Sequence, residues 1–153
     1  MMKIVIGSDH AGVEYKAGLK AFLEEKGFDV EDKGPESEES VDYPDFAEKV
    51  ARAVADKEAE YGVLVCGTGI GMSMSANKVK GIRSAVIHNE FTGKAAKEHN
   101  NANVVCVGAR VIGMEEAQKS LNAFFEAEFE GDKEGGERHK RRVGKIMDIE
   151  EAD

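Results

Sequence analysis

The chain has 153 residues, a formal net charge of −9 at pH 7 and a hydrophobic fraction of 41%. This length fits one domain, predicted over residues 1–153. The acidic balance argues against nucleic-acid and membrane surfaces, because phosphate backbones and anionic lipids attract clustered Lys and Arg. No signal peptide, long apolar run or metal-ligand spacing is visible, and both cysteines lie in apolar, strand-like stretches. We therefore expect a cytoplasmic protein with reduced thiols and no metal or other cofactor.

Strand and helix patterns alternate along the chain. Short apolar runs predict five strands, at 3–6, 28–31, 63–66, 84–88 and 104–107. Apolar residues at helical spacing predict helices at 15–23, 46–54, 73–79, 92–99 and 117–125, and a last helix with Val143, Ile146 and Met147 on one face. Residues 33–43 are predicted as a polar loop, and residues 130–153 as a Gly-rich linker followed by that C-terminal helix.

This alternation predicts an α/β fold with a parallel sheet covered by helices on both faces. In such folds ligands bind beyond the carboxyl ends of the strands, near the switch in strand order. The loops expected to carry function are therefore the ones that follow the strands, at residues 7–12, 67–71, 88–91 and 108–113.

The segment Cys66-Gly67-Thr68-Gly69-Ile70-Gly71 follows the third strand. Glycines allow a tight turn that presents successive backbone N–H groups, and such a loop at a helix start stabilises phosphate or a developing oxyanion. The spacing is neither the dinucleotide fingerprint nor a P-loop. A plain strand-to-helix turn is the alternative interpretation.

The two cysteines receive different predictions. Cys66 directly precedes the Gly-rich helix start, where amides favour a thiolate able to act as base or nucleophile. A small buried core residue is the alternative for Cys66. Cys106 lies within an apolar strand and is predicted to be core.

Further titratable side chains follow other strands. Asp9 and His10 come after the first strand, where they could orient hydroxyls, move protons or hold a phosphate, although Asp9 could simply cap a helix. His99 precedes the fifth strand as a candidate acid or base, or as a charge near a helix end. Arg110 follows the fifth strand and is placed to meet an anion, unless it is a surface residue.

A basic cluster, Arg138-His139-Lys140-Arg141-Arg142, stands out in this acidic chain. Arg138 and Arg142 are four residues apart and share a helix face. Two guanidinium forks suit a phosphate dianion, whereas a solvated charged face is the alternative interpretation.

The ordered set of motifs resembles the type B ribose-5-phosphate isomerases and the related galactose- and allose-6-phosphate isomerases. The matching stretches span nearly the whole chain: residues 7–12, Asp42-Tyr43-Pro44, residues 66–71, Ala76-Asn77-Lys78, Gly81-Ile82-Arg83, His99-Asn100, Gly108-Ala109-Arg110 and residues 138–143. One difference is the linker at 131–137, which looks a few residues longer than is usual in that family.

The resemblance implies a single Rossmann-like domain with a five-stranded parallel sheet and a C-terminal helical arm. It implies metal-independent interconversion of ribose 5-phosphate and ribulose 5-phosphate through an enediolate. Cys66 would be the base and His99 would assist ring opening, with Thr68 also catalytic. Sugar contacts would come from Asp9, His10 and Tyr43, with Asn100 also binding substrate. The enediolate oxygen would be held by the amides of Gly67, Thr68, Gly69, Ile70 and Gly71. The phosphate would be bound by Arg110, Arg138 and Arg142.

A shared active site is the further expectation. The Gly-rich loop belongs to a central strand, whereas His99 and Arg110 flank the last strand, which we expect toward one edge of the sheet. The resemblance likewise implies a homodimer, possibly a dimer of dimers, in which the partner supplies His99, Asn100 and Arg110.

Other functions use the same residues. A six-carbon sugar phosphate could replace ribose 5-phosphate as substrate. A thiol hydrolase could use Cys66 as nucleophile and His99 as base, with the loop as oxyanion hole. A non-catalytic phosphosugar-binding protein would keep the arginines and not need the thiol.

Overall fold

The computed structural model describes residues 2–152. Its strands are β1 (Lys3–Ser8), β2 (Asp29–Asp32), β3 (Tyr61–Cys66), β4 (Ser84–Val86) and β5 (Val104–Gly108). Its α-helices are α1 (Val13–Glu25), α2 (Tyr43–Ala55), α3 (Ile70–Ala76), α4 (Glu90–Glu98), α5 (Met114–Glu126) and α6 (Glu137–Glu151). Short 3₁₀ turns occupy His10–Gly12 and Glu130–Asp132.

All strand pairs are parallel, and the sheet order is β2-β1-β3-β5-β4. The α/β prediction and the five strands are confirmed. The chain leaves β1 for β2 on one side and returns to β3 on the other, so the strand order switches between β1 and β3. This switch places the loops after β1 and β3 side by side, where ligands bind in such sheets.

Two apolar cores cover the two faces of the sheet, as the buried runs predict. One core packs Leu19, Leu121 and Phe124 of α1 and α5 against one face. The other packs Val50 of α2 and Met72 of α3 against the opposite face. Burying these side chains leaves the strand ends as the places where polar groups meet.

The C-terminal helix α6 docks onto its own chain near the start of β4. Both carboxylate oxygens of Glu150 accept from the N–H of Gly81, at 3.0 and 3.1 Å. The buried face of α6 carries His139 and Val143, whereas Ile146 is exposed. The helix itself is therefore confirmed, with Val143, Ile146 and Met147 on one face as predicted, although Ile146 is exposed in the single chain. Among the helices of residues 2–152, none combines the length and apolarity needed to cross a bilayer.

The Gly-rich linker is a tightly folded turn. Residues 130–132 form a 3₁₀ turn, and a Cβ at Gly136 would overlap the carbonyl oxygen of Glu130. The N–H of Lys133 donates to that same carbonyl at 3.0 Å. Close backbone approach is one physical reason for a glycine. The predicted Gly-rich linker between α5 and α6 is thus compactly folded.

Candidate active site

Cys66 ends β3 at the carboxyl edge of the sheet, with its side chain 7% exposed. The N–H of Gly69 donates to its Sγ at 3.1 Å. An N–H donor stabilises a thiolate over a thiol, since the anion is the better acceptor. The structure therefore places Cys66 in surroundings suited to a base or nucleophile.

The loop after Cys66 is held against the end of β5. Gly69 has a φ of +80°, and a Cβ there would lie 3.1 Å from the carbonyl carbon of Val107. A Cβ at Gly108 would lie 2.7 Å from the carbonyl group of Thr68. The helix α3 begins directly at Ile70, earlier than the predicted start at residue 73. The hydroxyl of the exposed Thr68 accepts from the N–H of Ile70 at 3.2 Å.

Side chains from two other loops lie beside this turn. The ring of Tyr43, at the start of α2, packs so closely on Gly71 that a Cβ there would lie 2.6 Å from its Cε1. Asp9 is tied to β3, because its N–H donates to the carbonyl of Val65 at 3.0 Å. Its Oδ1 caps the following turn by accepting from Gly12 at 2.8 Å.

His10 has a defined ring orientation. Its Nδ1 accepts from the N–H of Val41 at 3.2 Å. A neutral imidazole that accepts at Nδ1 carries its proton at Nε2, so His10 has an N–H donor available for a ligand. The polar loop at 33–42 thus contributes to the site by orienting this histidine.

Within one chain Arg110 lies in this same cluster, whereas from the sequence we expected it to come from a partner chain. The strand β5 is interior and β4 is the edge, so Arg110 follows a strand next to β3. Its N–H donates to the carbonyl of Gly67 at 2.9 Å, and its Cδ would lie 3.4 Å from a Cβ at Gly67. Arg110 therefore belongs with the Cys66 of its own chain. We call Asp9, His10, Tyr43, residues 66–71 and Arg110 the thiol half-site.

The remaining predicted residues lie at the other end of the sheet. The helix α4 returns from β4 toward the start of β5, so His99 and Asn100 are near the amino ends of the strands. At about 3.3 Å per residue, β5 alone separates the two ends by roughly 13 Å. Arg138 and Arg142, one turn apart and exposed on α6, accompany them. We call His99, Asn100, Arg138 and Arg142 the histidine half-site.

Two residues missed by the sequence analysis surround His99. The ring of His139 stacks on that of His99, with centroids 4.6 Å apart and planes 11° from parallel. Oε2 of Glu130 lies 3.8 Å from Nε2 of His99 and 3.5 Å from Nε2 of His139. The spacing of His139 and Val143, four residues apart on α6, was the available signal that His139 faces inward. Glu130 gave no such signal, since its position depends on the folded linker.

Cys106 is fully buried in the core, as predicted. Burial raises the pKa of its thiol to about 12, partly opposed by the hydroxyl of Ser84, 3.3 Å from its Sγ. Cys106 therefore stays a thiol at neutral pH, and only Cys66 of the two is placed for chemistry.

The comparisons with known proteins agree with this fold and site. The sequence model of the Ribose/Galactose Isomerase family matches residues 4–146. Ribose-5-phosphate isomerase B of Escherichia coli is 42% identical over 151 residues, covering 99% of this chain and 98% of that protein. D-erythrulose-4-phosphate isomerase of Pectobacterium atrosepticum is 44% identical over 133 residues, covering 86% and 87%. The structure of Clostridium thermocellum ribose-5-phosphate isomerase B superposes with a TM-score of 0.93 at 47% identity, covering 99% of each chain.

A thiol and a Gly-rich loop lie at the switch point of this parallel α/β sheet. This arrangement is typical of enzymes that act on small anionic substrates. The chain belongs to the ribose/galactose isomerase family, as the match over residues 4–146 and the relatives above 40% identity show.

Proposed function

We propose that this protein interconverts ribose 5-phosphate and ribulose 5-phosphate, with Cys66 as the base. The observation that carries the proposal is the Gly69 N–H on the Cys66 sulfur at 3.1 Å, at the start of the Gly-rich loop. The names of the Escherichia coli and Clostridium thermocellum relatives support the substrate. The family's description names galactose as well, so a six-carbon sugar phosphate is the second candidate.

Proton transfer between adjacent carbons needs one base and a stabilised oxyanion. In the proposed reaction the Cys66 thiolate takes the proton from C2 of the open aldose. The amides of Gly67, Thr68 and Gly71 receive the negative charge that develops on the enediolate oxygen, since those of Gly69 and Ile70 donate to Cys66 and Thr68. The thiol exchanges its proton with solvent and delivers a proton to C1. Thr68 lies exposed in this turn.

Binding of the sugar phosphate uses the rest of the thiol half-site and the arginines. The sugar contacts come from Tyr43, packed on Gly71, from His10, oriented by Val41, and from Asp9, whose N–H donates to Val65 of β3. Arg110, Arg138 and Arg142 bind the phosphate, because guanidinium groups match its oxygens in pairs. Only the first of these arginines lies in the thiol half-site.

A two-fold dimer brings the two half-sites together, with the thiol half-site of one chain facing the histidine half-site of its partner. His99, Asn100, Arg138 and Arg142 then come from the second chain, whereas Arg110 comes from the chain of Cys66. Exposed apolar side chains support a second copy: Ile70 and Met74, next to the thiol half-site, are 56% and 66% exposed, and Ile149 of α6 is 69% exposed. In this arrangement His99 protonates the ring oxygen to open the furanose.

Isotope exchange in D₂O tests the proposed reaction. Ribose 5-phosphate recovered after partial conversion should carry deuterium at C2, and ribulose 5-phosphate should accumulate. Release of inorganic phosphate or another fragment would instead indicate a hydrolase, and binding without exchange a phosphosugar-binding protein. The same assay with allose and galactose 6-phosphates compares the five- and six-carbon candidates.

A further inference from the structure

The cluster of His99, Glu130 and His139 has no role in the proposed chemistry beyond that of His99. Its three side chains converge, with their ligand atoms all within 4.8 Å of one another. His139 is only 9% exposed at its side chain, and its Nε2 is buried without a hydrogen-bond partner among residues 2–152. A buried polar atom normally has a partner, so this nitrogen indicates a built site.

The fold of residues 130–136 places Glu130 in this cluster. Gly136 permits the close approach to the Glu130 carbonyl, and Gly131 packs against the ring of Phe129, where a Cβ would overlap the ring. The 3₁₀ turn and α6 are in extensive contact. Two glycines are thus used to bring one carboxylate against two imidazoles.

Proton sharing fits the geometry better than a metal ion. The lone pair of an imidazole lies in the ring plane, and metal bonds to nitrogen are about 2.0–2.1 Å long. Because the two rings are stacked and nearly parallel, an ion in the plane of one ring lies well outside the plane of the other. The Glu130 carboxylate oxygen lies 3.5 and 3.8 Å from the two ring nitrogens. After small side-chain movements it can instead accept a hydrogen bond from a ring N–H.

The two histidines are not equivalent. Burial lowers the pKa of His139, and the neighbouring Arg138, His99 and Arg142 lower it further against the opposing effect of Glu130. His139 therefore tends to stay neutral. The exposed His99 keeps a second ring nitrogen directed away from the carboxylate, as in triads where an acid orients a histidine.

We propose that Glu130 and His139 are positioning residues that fix the ring of His99 and direct its second nitrogen at the ring oxygen of the sugar. The inference rests on the ring-opening role proposed for His99. In that step the C1–O4 bond breaks with its electron pair going to O4, and O4 takes the proton of His99. The C1 hydroxyl passes its proton to water and becomes the aldehyde, and His99 regains a proton from solvent.

The experiment separates ring opening from proton transfer at carbon. Turnover of ribose 5-phosphate, a furanose, requires both steps. Exchange of the C1 proton of ribulose 5-phosphate in D₂O, followed by NMR, requires only the base, because esterification of O5 keeps this ketose acyclic. Both rates are measured for Glu130→Gln, His139→Phe and His99→Asn, with thermal unfolding as a check on folding. Glu128→Gln is the matched control, since Glu128 is exposed and pairs with Lys133 at 3.0 Å instead.

A positioned general acid contributes typically 10²–10⁴-fold, so we expect Glu130→Gln to lower ribose 5-phosphate turnover about tenfold or more and C1 exchange less than about twofold. His139→Phe, which keeps the stacked ring, should give the same selective loss. Two results would overturn the positioning role alone. One is an equal loss of both rates in Glu130→Gln. The other is no loss in Glu130→Gln while His99→Asn lowers ribose 5-phosphate turnover but not C1 exchange. If His99→Asn shows no selective loss, the ring-opening part of the proposed function fails and this inference fails with it.

Discussion

The N–H of Gly69 donates to the sulfur of Cys66 at 3.1 Å, from a residue held in the left-handed region with φ at +80°. Left-handed backbone costs a non-glycine residue roughly 1–2 kcal/mol, because its Cβ crowds the carbonyl oxygen. At Gly69 a Cβ would in addition lie 3.1 Å from the backbone of Val107. The conformation that delivers this donor therefore depends on glycine.

Gly69→Ala is expected to lower the free energy of unfolding by about 1–2 kcal/mol. It should also lower kcat, because the donor moves away from the thiolate. Urea unfolding and steady-state kinetics measure both effects. The control is Gly144→Ala, where a new Cβ meets nothing within 4 Å and Ala in a helix is about 1 kcal/mol more favourable than Gly. Wild-type stability and kcat in Gly69→Ala would contradict this account of the loop.

Cys66→Ala should nearly abolish turnover while leaving sugar-phosphate binding largely intact. General-base catalysis contributes typically 10²–10⁴-fold, and the other contacts of the thiol half-site remain. Steady-state kinetics and calorimetric titration with ribose 5-phosphate measure the two quantities. Cys106→Ala is the control and should keep wild-type chemistry despite some loss of core packing. Retention of more than about a tenth of the wild-type rate in Cys66→Ala would exclude it as the base.

Iodoacetamide should alkylate Cys66 before Cys106 in the folded protein. Thiolates are the reactive form, and the pKa of the buried Cys106 is raised to about 12, so its thiolate is scarce up to about pH 10. Labelling between pH 6 and 10, read by mass spectrometry of peptides, follows each residue separately. Earlier reaction at Cys106 would reverse the assignment of core and site.

Much of this site could be predicted from sequence because its residues follow strands. The apolar runs that end at residues 66 and 107 and the glycines after Cys66 show which loops meet at the carboxyl edge. Strand order is not contained in such patterns, since apolar periodicity reports burial and not neighbours. The expectation that Arg110 lies toward an edge of the sheet therefore missed that β5 lies between β3 and β4, which places Arg110 beside Gly67 of its own chain.

The cluster around His99 could not be predicted for a different reason. Glu130 and His139 reach His99 only because the segment between them folds tightly at Gly131 and Gly136. From composition alone, the same glycines and charges indicate only a linker. Backbone contacts of this kind depend on tertiary packing, which local sequence patterns do not encode.

Chelation with EDTA is expected to leave activity unchanged. The candidate ligands His99, Glu130 and His139 converge, but the nearly parallel imidazoles cannot both direct lone pairs at one ion. The assay compares ribose 5-phosphate turnover before and after dialysis against EDTA. Loss of activity that a divalent ion restores would show that the cluster rearranges to bind a metal.

Mixed dimers test the two-chain active site most directly. Cys66→Ala and His99→Asn chains, each nearly inactive alone, carry lesions in opposite half-sites, so each heterodimer has one doubly damaged site and one intact site. Mixing equal amounts should restore about a quarter of wild-type activity, by counting sites under two-fold symmetry. Cys66→Ala mixed with Arg110→Ala is the matched control and should restore nothing, because both lesions lie in the thiol half-site. With subunit exchange verified, no recovery in the first mixture, or recovery in the second, would contradict the assignment of His99 and Arg110 to opposite chains.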